Sequence, residues 1–181
     1  MWAIFLRELR LRLRGGGWAA SLGLFSVFLM LSPLALGRDL SLLSNAAPAL
    51  LWLTASLALL VGLDGLFEED LRNGGLSLYR LTPLPLSMII LLKMAAGWVA
   101  ACGPLILAAP ALYFFFGVEP MLWGMAGFAV GTPALALLAG TIGALCAGLR
   151  RGAALLVFLC LPLFTPALVF GPASAGESPF V

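Results

Sequence analysis

Lys93 is the only lysine in the 181-residue chain, and Met94 follows it. A phosphate-cradling G-x-x-x-x-G-K-[ST] loop needs a lysine followed by a hydroxyl residue. The sequence has no such loop, so any ATP used on its behalf is bound by another polypeptide. Histidine is absent, which removes the commonest general base, metal ligand and axial ligand of haem iron. Cys102, Cys146 and Cys160 lie in apolar runs without C-x-x-C spacing and read as small buried hydrophobes. No nucleophile stands beside a base. An enzyme is not expected, and no catalytic, cofactor-binding or metal-binding residue is assigned.

The remaining candidates for chemistry are charges. Asp64, Glu68, Glu69 and Asp70 are four of the eight acidic residues, gathered in one loop. Acidic residues contribute little to membrane topology, so retention signals do not explain them. Leu66, Phe67 and Leu71 fall close together if the loop is helical, and Asn73-Gly74-Gly75 supplies a helix stop. One reading is a short acidic helix with an apolar ridge that docks a partner, built from Leu66, Phe67, Glu68, Glu69, Asp70, Leu71, Arg72 and Asn73. The other is an ordinary solvated loop.

A second charged element opens the chain. Over residues 2–14, Trp2, Phe5, Leu6, Leu9 and Leu13 share one helical face and Arg7, Arg10 and Arg14 lie opposite. Ile4 and Leu11 fall on the polar side, and Glu8 can pair with Arg12 at the i,i+4 spacing. The pattern predicts an interfacial helix with its apolar face in the acyl boundary and its arginines near anionic headgroups. It serves either as an anchor or as an elbow that carries motion from a cytoplasmic partner.

These elements must be positioned by something, and the composition names it. Hydrophobic residues make up 62% of the chain and charged residues 10%, against roughly 25% charged in a soluble domain. The fold class is an all-α integral membrane protein. Five apolar stretches, 17–36, 46–63, 87–116, 121–149 and 152–171, are long enough to cross some 30 Å of hydrocarbon. The third and fourth exceed that length, and Pro104, Pro110 and Pro133 predict kinks in them. With the amino terminus in the cytoplasm, nine of the ten basic residues lie inside and Arg38 alone lies outside. The first run is longer than the 7–15 residues of a signal-peptide core, so it is retained. Residues 172–181 form a periplasmic tail.

Inside the spans, Lys93 is shallow enough to snorkel to the interface. Serines and threonines there are expected to bond to backbone or neighbouring helices. Gly127 and Gly131 form a G-x-x-x-G pair, and Gly140 and Gly143 continue the small-residue surface. They permit close helix approach, within the subunit or across a dimer.

Two blocks carry a family resemblance. Leu66-Phe67-Glu68-Glu69-Asp70-Leu71, then Leu81-Thr82-Pro83-Leu84-Pro85-Leu86 and Lys93, form the first. Gly131-Thr132-Pro133, Gly148-Leu149-Arg150-Arg151-Gly152 and Leu161-Pro162-Leu163 with Pro166 form the second. Together they resemble the haem exporter protein B family, CcmB, over essentially the whole chain. The resemblance implies one ABC-2-like permease domain over residues 1–181, working in haem delivery for c-type cytochrome biogenesis. It implies a CcmA-like ATPase that binds the ATP, a CcmC-like haem-handling membrane protein and a CcmE-like haem chaperone whose loaded form is released. It also implies a homodimer of permease subunits, with haem handled by the complex and no nucleic-acid partner. Family members have six spans, whereas five are read here and residues 172–181 are too short to cross. Two alternatives stand beside this reading: a non-transporting scaffold of the same complex, and a general ABC-2 exporter of lipids or drugs.

Overall fold

Apolar runs of twenty to thirty residues cannot leave backbone N–H and C=O groups unpaired in hydrocarbon, so each closes its own hydrogen bonds as a helix. The computed structural model describes residues 2–37, 39–63, 66–67, 71, 85–117, 122–149 and 152–173. Among the described residues six helices follow one another: α1 (Trp2–Arg14), α2 (Gly17–Leu36), α3 (Leu40–Leu63), α4 (Leu86–Phe115), α5 (Leu122–Cys146) and α6 (Gly152–Ala173). No strand occurs among the described residues. Helices α2 to α6 are all long and apolar enough to span a membrane. The chain is a multi-pass, all-α membrane protein.

Helix α3 begins at Leu40, six residues before the apolar run that predicts it. The cause is a polar cap. The Asp39 carboxylate accepts hydrogen bonds from the Ser41 backbone N–H at 2.9 Å and the Ser41 hydroxyl at 2.7 Å, and Leu43 N–H closes the first turn on Asp39 C=O. This is an N-cap arrangement, which sustains a helix through Ser41, Ser44 and Asn45 before the apolar run starts. The same bonds from Ser41 hold the Asp39 carboxyl below its ordinary pKa of 3.8. A group with a lowered folded-state pKa stabilises the fold above its unfolded pKa and loses that effect as pH falls through the folded value. Asp39→Asn, which still caps, is therefore expected to flatten the acid limb of the melting curve below about pH 4. Melting in detergent across pH 6 to 2 checks this, and an unchanged acid limb would count against the cap.

The helices run unbroken through Pro33, Pro48, Pro104, Pro110, Pro133, Pro162 and Pro166. Half or more of the apolar windows of α3 and α4 is buried, 56% and 50%, against 17% for α2 and α6. Helix α3 is thus the inner element, packed by α2, α4, α5 and α6, while α1 lies mainly on α4. The core is tight at glycines. A Cβ on Gly62 would stand 2.9 Å from the Ala101 Cβ, so α3 and α4 approach almost backbone to backbone. Trp52 of α3 lies between Gly131 of α5 and Gly171 of α6 and meets the Phe128 ring edge-on at 5.5 Å.

Hydroxyls in the spans are absorbed locally. Thr54, Ser56, Thr141 and Thr165 bond to the carbonyl four residues earlier, which satisfies the O–H without a partner helix. Thr132 differs, accepting a bond from the Trp98 indole N–H at 3.1 Å and so tying α5 to α4.

Candidate functional site

The end of the bundle where α3 finishes and α4 begins is covered by α1. The chain turns there through Gly15 and Gly16, and Gly16 has φ +80°, a conformation open to glycine and costly for other residues. The Trp18 indole N–H caps the turn by donating to Leu13 C=O at 3.0 Å. Helix α1 does not present the single apolar face that the sequence predicts. Trp2 and Leu13 are exposed, while Glu8 is buried and is flanked on the inner side by half-buried Ile4, Phe5, Leu9 and Arg12. The face turned to the bundle is centred on an acidic residue, because a charge inside the protein requires it.

That charge is Lys93, which lies about 10 Å along α4 from its first residue at 1.5 Å per residue. Its Nζ stands 3.5 Å from Glu8 Oε2, with both side chains only 6–7% exposed. Lys93 therefore does not snorkel to the interface; the carboxylate comes to it from α1. A cation at this depth is costly without a counter-charge, and Glu8 supplies one. Arg12, expected beside Glu8, instead donates to Gly62 C=O at 3.2 Å. Gly62 lies in the last turn of α3, where carbonyls have no intrahelical partner and cations are favoured. Helix α1 is thus clamped at two points, to the start of α4 by Glu8 and to the end of α3 by Arg12.

The acidic segment continues directly from this clamp. Leu71 N–H bonds to Phe67 C=O at 3.1 Å, a helical i→i−4 turn. Leu66 and Phe67 are buried in the core, so they anchor the segment and do not form its exposed ridge. Leu71 is 41% exposed and lies beside Gly148 in the α5–α6 turn. Glu68, Glu69, Asp70, Arg72 and Asn73 lie outside the described residues. Arg7, Arg10 and Arg14 are on the exposed side of α1. Among the packing glycines, Gly131 faces Trp52, Gly140 faces Met94 and Gly143 faces Leu156. Gly127 is half-buried. The small-residue surface is largely used inside the subunit. Among the described residues no group of three His, Cys, Asp or Glu side chains could hold a metal.

Comparison with known proteins meets this geometry along the whole chain. The family model described as CcmB protein matches residues 1–179. The chain belongs to the CcmB family. Its relatives include heme exporter protein B of Rhodobacter capsulatus, 40% identical over 94% of this chain and 80% of the relative. The Bradyrhizobium diazoefficiens protein of the same name is 41% identical over 96% and 79%, and that of Escherichia coli K12 is 36% identical over 96% and 80%. The matched region includes α1 with Glu8 and Arg12, so the clamp lies within the CcmB domain.

Sequence reasoning misses the Glu8–Lys93 pair, although a signal was available. Lys93 is the sole lysine and Glu8 the sole acidic residue before Asp39. A lone cation within an apolar run calls for a carboxylate, and the amino-terminal helix holds one amid four arginines.

Proposed function

We propose that this chain is the membrane subunit of an ABC-type machine for haem delivery in c-type cytochrome biogenesis. It lies in the bacterial inner membrane with its amino terminus in the cytoplasm. A separate CcmA-like ATPase binds ATP and presses on the α1 end of the bundle. The movement of paired subunits then drives release of the haem-loaded CcmE-like chaperone, with a CcmC-like protein handling the haem. One observation carries this reading: α1 is fixed by Glu8 and Arg12 to the ends of two different spans, next to the buried Leu66 and Phe67. A push on α1 or on residues 66–73 moves α3 and α4 together, as a lever requires. The names of the relatives supply the haem context, and the lack of a phosphate loop in the sequence supports a separate ATPase.

The test is affinity capture of the tagged chain from native membranes in mild detergent, followed by mass spectrometry. The expected result is an ATPase together with cytochrome c maturation proteins, with recovery of the ATPase reduced at least several-fold by Asp70→Arg. An ATPase without maturation proteins would favour a general ABC-2 exporter, and undiminished recovery would remove Asp70 from the docking surface.

A second reading, a non-transporting scaffold that relays ATPase motion, is favoured by the spans themselves. The hydroxyls of Thr54, Ser56, Thr141 and Thr165 bond back to their own helices, and Lys93 is paired to Glu8. Neither arrangement supplies a polar track. Proteoliposomes containing the ATPase separate the readings, since a scaffold moves no small molecule on ATP hydrolysis.

A further inference from the structure

The clamp changes what the outer side of α1 is for. With Glu8 and Arg12 turned into the bundle, the residues left outside sort into two adjacent strips at 100° per residue. Trp2, Leu6 and Leu13 fall within about 40° of one another, and Arg7, Arg10 and Arg14 within about 60° beside them. Trp2 stacks on Phe5 at 5.6 Å and is 71% exposed, so the apolar strip starts with a large amphipathic ring. Over the arginine strip lies a groove of about 390 Å³ lined by Arg7, Arg10 and Arg14 with Leu6 on one side, next to Leu13 and Trp2, and Leu11 on the other. Arg7 and Arg10 are neighbours at i,i+3 and Arg10 and Arg14 at i,i+4, so each pair can share one anion. Among the described residues, none of the three guanidiniums has an ion-pair partner. The acidic member of the helix, Glu8, is committed to Lys93 on the opposite side.

We propose that this groove is a binding site for an anionic phospholipid. Its phosphate is held by the arginine strip, and an acyl chain lies along Leu6, Leu13 and Trp2. The charge of the groove selects the headgroup. The apolar strip beside it, at the end of a bundle of spans, selects a lipid over a free anion. The sequence alone gives an interfacial helix with diffuse attraction to negative membranes. The clamp fixes α1 in one orientation, and that makes the arginines a site with preference among lipids. The inference stands independently of haem delivery.

The test uses the full chain in phosphatidylcholine vesicles with trace spin-labelled phosphatidylglycerol or spin-labelled phosphatidylcholine, reading the motionally restricted fraction of each. The wild type is expected to prefer phosphatidylglycerol on the order of fivefold, less so at about 0.5 M salt. The triple variant R7Q/R10Q/R14Q is expected to lose that preference, and R7K/R10K/R14K to keep most of it, since charge survives in lysine. Undiminished preference in the glutamine variant overturns the proposal. So does displacement of the labelled lipid by millimolar glycerol phosphate, which would make the groove a site for soluble anions. A glutamine variant that keeps the lipid preference but loses a co-purifying protein also overturns it, in favour of a protein-docking face.

Discussion

Lys93→Met is expected to destabilise the folded protein by about 3–5 kcal/mol, the cost of removing one partner from a buried ion pair. The substitution preserves most of the side-chain volume, so lost packing is a minor part of the effect. What remains is Glu8, buried against α4 with its counter-charge removed. It must either take up a proton or pull α1 off the bundle. Glu8→Ala leaves the complementary problem, a cation about 10 Å along a span that has lost its carboxylate on α1. The double variant E8Q/K93M removes both charges and is expected to recover most of the loss, because neutral pairs avoid the desolvation penalty. Equilibrium unfolding in mixed micelles, read as a double-mutant cycle, measures this. Single variants within about 0.5 kcal/mol of wild type would mean that the pair does not hold α1. A structural role alone predicts equal ATPase stimulation by E8Q/K93M and wild type once both are folded. The lever reading predicts weaker coupling in the double variant, because a charge-neutral contact slips more easily.

That pair also marks where sequence reasoning runs out. The spans are legible because lipid imposes a length: α2 is Gly17–Leu36, as the apolar run predicts, and α4 and α6 differ from their runs by at most two residues at either end. Charges are harder to place, because each has a plausible local solution. Glu8 has Arg12 four residues on and Lys93 has a nearby interface, so neither demands a distant partner. The structure prefers the non-local solution for a physical reason. An exposed i,i+4 pair contributes only about 0.2–0.5 kcal/mol, whereas an unpaired lysine facing α1 would be far costlier. Once Lys93 is turned inward, Glu8 is the acidic residue within its reach among the described residues, and Arg12 is released to cap α3. Leu66 and Phe67 pose a similar ambiguity. Their spacing groups them on one side of a helix, but spacing does not say whether that side faces a partner or the chain's own core.

Trp52 is illegible for a different reason, and it carries the second large expectation. Its indole fits between two glycines that are forty residues apart in sequence, and neither belongs to a pattern that names the tryptophan. A Cβ on Gly131 would run into the six-membered ring of the indole, and one on Gly171 would run into its ring-fusion edge. In an ordinary helix, glycine to alanine gains up to about 1 kcal/mol of propensity. Here the sign reverses. The ring is confined from two helices at once and has Phe128 at its edge, so it cannot yield to a new methyl without moving α5 or α6. Gly131→Ala is expected to destabilise by about 1–3 kcal/mol from overpacking, net of the propensity gain. Trp52→Ala is expected to cost about 3–5 kcal/mol through the cavity it opens. Combining them supplies the decisive comparison. With the indole gone the methyl has room, so G131A should become neutral or stabilising in the W52A background. Unfolding of all four proteins in the same micelle reads the coupling. Additive losses would show that the methyl meets something other than the tryptophan. A coupling of about 1–3 kcal/mol would establish that this one side chain locks the outer helix α6 and α5 onto α3. The clamp at the α1 end could then move α3 only by moving the helices wedged around Trp52.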